Sequence, residues 1–216
     1  METCKDRNDV TLTQSEEVLQ DHELELSEIS ETSVLIKQIA TAGILGALSL
    51  VGFSPIASWI PRYAGIALID PISFCWIIAF LLCGIKVGLL TTTIGSIGLF
   101  YFDPYTPVGP IFKILATLPM LMIPWLGMKL KEPNAGGEFF GRIPNYAVLM
   151  LLAYLVRLGI MIPLNLAVAP VFFPELDAVA VIVNAVFLNS TQSALDAIGP
   201  FLIVHSSTLY KQFGMW

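Results

Sequence analysis

The sequence predicts an all-α, polytopic membrane protein with six transmembrane helices and both termini on the cytoplasmic side. Three observations carry that expectation. Of 216 residues, 56% are hydrophobic and only 13% charged, roughly half the charged share of a soluble domain, and mean hydropathy is +0.76. Apolar runs recur from Val34 onward, and a helix needs about 20 mostly apolar residues to cross the hydrocarbon. Stretches such as Ala147–Val156 do not alternate apolar with polar residues, which excludes the strands of a membrane barrel. Lipid offers the backbone no hydrogen bonds, so the runs must be helices. This composition also argues against an ordinary cytosolic enzyme, a nucleic-acid binder and a disordered chain.

The charge is unevenly placed. Residues 1–31 carry ten acids against Lys5 and Arg7, a net of −8, while the rest of the chain carries seven acids and nine bases, a net of +2. The chain therefore reads as an acidic cytosolic tail over 1–33, flexible or lying on the surface, joined to a membrane domain over 34–216. The opening MetGluThrCysLysAsp lacks the basic-then-apolar start of a cleaved signal peptide.

Helices are expected at about 34–54, 70–85, 87–102, 108–128, 144–168 and 178–206. Lys86 divides the second from the third around a Cys83-Gly84-Ile85-Lys86 turn. Pro104, Pro107 and Pro110 break the chain before the fourth helix. Residues 129–143 form the one long polar loop. Pro170 and Pro174 are expected to end the fifth helix and Pro200 to kink the sixth. Six crossings gather Lys37, Lys86, Lys129, Lys131, Arg142 and Lys211 on one side and leave Arg62 on the other, so that first side is cytoplasmic.

Three charges fall inside predicted helices: Lys113, Arg157 and Asp196. Each costs about 2.5–3.5 kcal/mol on insertion scales and normally faces a partner or a cavity. By helical rise, Arg157 lies about 20 Å and Asp196 about 15 Å from the cytosolic end, so an ion pair locking the fifth helix to the sixth is expected, with a ligand or coupling role as the alternative. Lys113 can either snorkel outward or reach an anionic group of a ligand.

Asn189, Gln192, Ser193 and Asp196 share one stripe of the sixth helix at about 100° per residue. Such a stripe faces neighbouring helices or a polar cavity. Asn165 and Asn184 add amides toward the outer end. Trp59, Tyr63, Tyr101, Phe102 and Tyr105 fit an interfacial belt better than a ligand-stacking surface. In the first helix Ala42–Gly46 and Gly43–Ala47 are overlapping small-xxx-small pairs, which admit a close helix either within the protein or from a partner subunit.

Other motifs carry less. Cys4, Cys75 and Cys83 resemble small hydrophobes rather than metal ligands or disulfide partners. Asn189-Ser190-Thr191 has the form of a glycosylation acceptor but lies inside a helix. Gly95-Ser96-Ile97-Gly98 lacks a convincing His base, because His205 lies at the inner end of another helix and His22 in the tail. No metal cluster, cofactor motif, phosphate loop or nucleotide fingerprint appears, so this chain is not expected to hydrolyse ATP itself.

These residues together resemble the substrate-binding S component of an energy-coupling factor (ECF) vitamin transporter, over roughly residues 34–213. The first helix opens with Lys37 and holds Gly43-Ile-Leu-Gly-Ala47-Leu, similar to that family's alanine-xxx-alanine helix. Leu68-Ile69-Asp70-Pro71-Ile72-Ser73 resembles its acidic entry to the second helix, and Gly84-Ile-Lys-Val-Gly88 its Gly-rich turn to the third. The riboflavin-binding branch is the nearest: Arg157, Met161, Asn165 and Pro170 follow its fifth helix, and Asn189 with Tyr210-Lys211 its sixth, although Gln192 stands where that branch has Lys.

The resemblance implies that the protein binds a vitamin-like small molecule from outside, over helices four to six. A membrane T component and two cytosolic ATPases would supply energy. Asn165, Asn189, Gln192 and Lys113 would contact the ligand, and the small-residue face with Gly43 and Ala47, flanked by Ala42 and Gly46, would dock the T component. No nucleic-acid partner, metal or catalytic residue is implied. Two rivals remain from other classes. One is an assembly subunit whose polar residues only join helices. The other is an intramembrane enzyme using Asp196 and His205, which lie nine residues apart on one helix, about 14 Å by rise.

Overall fold

The computed structural model describes residues 32–53, 62–63, 66–67, 69–207, 209 and 216. The acidic tail up to residue 31, Trp59, and the Tyr210-Lys211 stop lie outside them. The chain divides into two compact units, Met1–Ile39 and Ala40–Trp216. In the first, the described residues 32–39 are the opening turns of α1.

Helix α1 covers Thr32–Ser49 and runs into a 3-10 turn at Leu50–Phe53. Arg62–Tyr63 pairs antiparallel with Ile66–Ala67 in a two-residue ladder, with Arg62 opposite Ala67. Five further helices follow: α2 Pro71–Cys83, α3 Ile85–Phe102, α4 Val108–Lys131, α5 Ile143–Phe172 and α6 Ala178–Phe201. A 3-10 turn at Gly137–Gly141 leads into α5.

Among the described residues, five helices (α1, α3, α4, α5 and the α6 segment through Ser206) are long and apolar enough to cross a membrane. The second expected span is shorter than predicted. At 13 residues and 1.5 Å per residue, α2 reaches about 20 Å, short of a hydrocarbon core of about 30 Å. Its start is fixed by chemistry at both ends of one turn. Asp70 caps it, its Oδ1 accepting from the Ile72 amide at 3.0 Å, and Pro71 fills the first helical position, where its missing N–H is not needed. Its end is fixed by Gly84, whose φ of +88° is open to glycine at no steric cost. The break thus falls on Gly84 alone, and Lys86 already belongs to α3.

One proline acts differently from the expectation. Pro170 lies inside α5, which continues to Phe172. The end falls instead before Pro174, where Phe173 leaves the helical region at φ −137°, ψ 66°, the extended bias a proline imposes on the residue before it. Pro200 is followed at once by a π turn, Leu202–Ser206, the wider spacing that absorbs a lost i→i−4 bond.

Helix α2 is apolar all round and enclosed by the others, as such a helix must be. Trp76, Ile77, Ala79 and Leu81 are fully buried. It lies against α3, α4 and α6, while α5 packs between α4 and α6. Gly88 lets α3 fold back on α2, because a Cβ there would fall 2.9 Å from the Phe80 Cβ. The outer helices are arranged the other way round. On α5, Val148, Leu151, Leu152 and Leu155 are exposed while Arg157 is buried. Apolar side chains outside and polar ones inside are the distribution that lipid imposes.

Candidate functional site

The structure brings Arg157 and Asp196 together. Arg157, on the buried face of α5, lays its guanidinium along the polar stripe of α6. Its Nη1 donates to Asp196 Oδ2 at 3.1 Å, its Nη2 to Gln192 Oε1 at 2.9 Å and its Nε to Asn189 Oδ1 at 2.9 Å. The charged partners are each about 1% exposed. Three acceptors on successive turns of one helix match the planar fork of a guanidinium, which an ammonium could not span.

Asp196 is satisfied on both oxygens. Its Oδ1 accepts from Ser73 Oγ on α2 at 2.8 Å. The same Ser73 hydroxyl lies 3.3 Å from the Asp70 carbonyl. The Asp70 carboxylate in turn holds the Lys113 ammonium of α4, whose charge is within electrostatic range of Asp196 and Arg157. Two cations and two anions thus form one polar network, linked through Ser73, that joins α2, α4, α5 and α6. It is neutral in sum, the condition under which buried charge is tolerated. Of its four charged residues, Lys113 and Asp70 are the more accessible, at 12% and 14% exposure.

Each predicted ligand residue has a definite place. Asn189 and Gln192 sit on Arg157, and Asn189 Nδ2 donates to the Ala185 carbonyl at 2.8 Å. Lys113 is held by Asp70. Asn165 is half-buried and outside the network, its Nδ2 donating to the Met161 carbonyl at 2.7 Å. Two buried hydroxyls, Thr117 on α4 and Ser193 on α6, have no hydrogen-bond partner among the described residues. A groove of about 330 Å³ lies between α3 and α4, lined by residues including Thr92, Ser96, Phe100, Ile114 and Leu118. None of the predicted ligand residues lines it. Its Thr92 and Ser96 hydroxyls turn back to carbonyls of their own helix, leaving an apolar surface.

The two small-residue pairs of α1 part company. Ala42 and Gly46 are buried, and a Cβ on Gly46 would fall 2.7 Å from Ile94 Cγ2 of α3. Ala47 is exposed, and a Cβ on Gly43 would meet nothing within 4 Å. Ala42–Gly46 therefore serves packing inside this chain, and Gly43–Ala47 faces outward.

The remaining motifs have the following contacts. Ser96 Oγ donates to the Thr92 carbonyl at 2.6 Å. Asp196 is held by Arg157 and Ser73, and the His205 ring lies 5.1 Å from that of Phe201. Cys75 and Cys83 are buried free thiols. Among the described residues no group of three or more His, Cys, Asp or Glu is placed to hold a metal. Sequence reasoning missed Ser73 and the Asp70 side chain as network members. Neither carries a local signal for that role, because their partners lie 43 and 123 residues away. No protein-family model matches the sequence, and no curated protein matches it.

Proposed function

We propose that the chain is the substrate-binding S component of an ECF-type importer. It would cross the cell membrane six times with both termini cytoplasmic, capture a vitamin-like small molecule, riboflavin first among them, from outside, and pass it inward with a T component and cytosolic ATPases. The observation that carries this reading is the outward Gly43–Ala47 face of α1. An exposed small-residue face on a membrane helix invites a second helix at close range, and the inner pair already serves the fold. Orientation is supported by charge. Trp216 touches both Gly84 and Gly137, so the α2–α3 turn and the α4–α5 connection share one end of the bundle. That end holds Lys86, Lys129, Lys131 and Arg142, the distribution of a cytoplasmic face.

A ligand reaching Asn189 and Gln192 must exchange with the Arg157 guanidinium. That same engagement favours a second reading, an assembly subunit in which the network only joins helices. Purification of the full-length protein separates the two. Absorbance and mass spectrometry should find a stoichiometric small molecule, weakened by Gln192→Ala, and a T component that is lost with Ala47→Leu. Absence of both the small molecule and the T component would refute the importer reading.

A further inference from the structure

We propose that the groove between α3 and α4 is a binding site for one acyl chain of a membrane phospholipid. Its shape follows from the sequence of α3. Leu89, Thr92, Ser96 and Phe100 succeed one another at three- and four-residue steps, and so share one face of the helix. Long side chains stand at the two ends and short ones between them, which leaves the face notched. Thr92 and Ser96 form the floor, at 5% and 7% exposure, while Ile97 and Phe100 stand out at 56% and 42%. Ile114 and Leu118, about one turn apart on α4, make the opposite wall.

Dimensions and chemistry select the occupant. Leu89 to Phe100 is about 17 Å by helical rise, close to the one leaflet, about 15 Å, that makes half of a hydrocarbon core of about 30 Å. Spread along that length, the 330 Å³ of the groove leaves a cross-section of about 20 Å². That is the width of one hydrocarbon chain, whereas a second helix, about 10 Å across, needs roughly four times as much. The three hydroxyls of the lining are already committed. Thr92 Oγ1 donates to the Gly88 carbonyl at 2.9 Å, Thr93 Oγ1 to the Leu89 carbonyl at 2.9 Å and Ser96 Oγ to the Thr92 carbonyl at 2.6 Å. A polar ligand thus lacks the placed polar groups that orient one in a pocket. Depth fits as well, since both helices are long and apolar enough to cross a membrane. Tyr101, beside Phe100 at one end of the groove, is 83% exposed and suits the headgroup level, from which the groove descends into the bilayer. A chain seated here touches two helices rather than one, and each added close contact contributes dispersion energy. The site is independent of the importer reading.

Photolabelling tests the site on the full-length protein. It is reconstituted in phosphatidylcholine nanodiscs doped with a phosphatidylcholine that carries a diazirine midway along one chain, irradiated, and its adducts are mapped by mass spectrometry. Residues 89–100 of α3 and 114–118 of α4 should carry about fivefold more adduct per residue than the exposed face of α5 over 148–155, the ratio that about ten additional close atom contacts sustain. Ser96→Leu and Thr92→Leu each fill the floor and should abolish the excess. Val148→Leu, on the exposed face of α5, should leave it unchanged. Equal labelling of the two faces in the wild type would overturn the site, as would an excess that survives in both floor variants. Labelling of the groove below that of α5 would also overturn it, because another occupant would then exclude the chain.

Discussion

Replacing Arg157 by Met and Asp196 by Leu, singly and together, tests whether the buried network is held by charge pairing. At 3.1 Å between Nη1 and Oδ2 the charge centres are about 4 Å apart, worth about 4 kcal/mol at an effective dielectric of about 20. Asp196→Leu strands the guanidinium with only the neutral oxygens of Asn189 and Gln192. Arg157→Met strands the carboxylate with only the Ser73 hydroxyl. Each single variant should lose about 3–5 kcal/mol, the cost of leaving one buried charge unpaired. The double variant removes both charges and leaves Ser73, Asn189 and Gln192 each short of one neutral hydrogen bond, about 1 kcal/mol apiece. It should therefore be no less stable than either single variant. Equilibrium unfolding in mixed micelles, followed by far-UV circular dichroism, gives all four corners of the cycle. Additive losses in the double variant would refute pairing as the source of the effect.

On α1, Gly46→Leu should destabilise the fold by about 1–3 kcal/mol through overpacking against Ile94, whereas Ala47→Leu should leave the unfolding transition within about 0.5 kcal/mol of wild type; the same unfolding assay reads both. Tyr146→Phe removes a hydroxyl that donates to the Ala197 carbonyl at 2.7 Å and should lose about 1–2 kcal/mol, with the Phe201 stacking at 4.8 Å retained. The Gly136 amide, with the amide of Glu138 itself, holds the Glu138 carboxyl below its usual range. A lowered folded pKa means the contribution is present above the unfolded value and lost as pH falls through the folded one. Amide-exchange protection over Gly136–Gly141 should therefore drop on acidification below the ordinary carboxylate range, and a Glu138→Gln variant should show no such drop.

Hydrophobic content and run length by themselves determined the class of this protein. Only helices that close their own hydrogen bonds suit such sequences, and the start of α2, its break from α3 and the end of α5 follow from Asp70-Pro71, Gly84 and Phe173-Pro174. The pairing of Arg157 with Asp196 was legible for a similar reason: both are costly in an apolar segment, and helical rise puts them at similar depth. Rise along one axis says nothing about which way a helix faces its neighbours. The capture of Lys113 by Asp70, the engagement of Asn189 and Gln192 by Arg157, and the entry of Ser73 into the network depend on four helices meeting side by side. The same holds for α1, where periodicity shows two small-residue pairs but only the position of Ile94 decides that Ala42–Gly46 turns inward and Gly43–Ala47 outward. Trp216 is the extreme case. The Leu81 carbonyl to which its indole donates lies 135 residues away, and a contact of that range leaves no periodic trace in the chain.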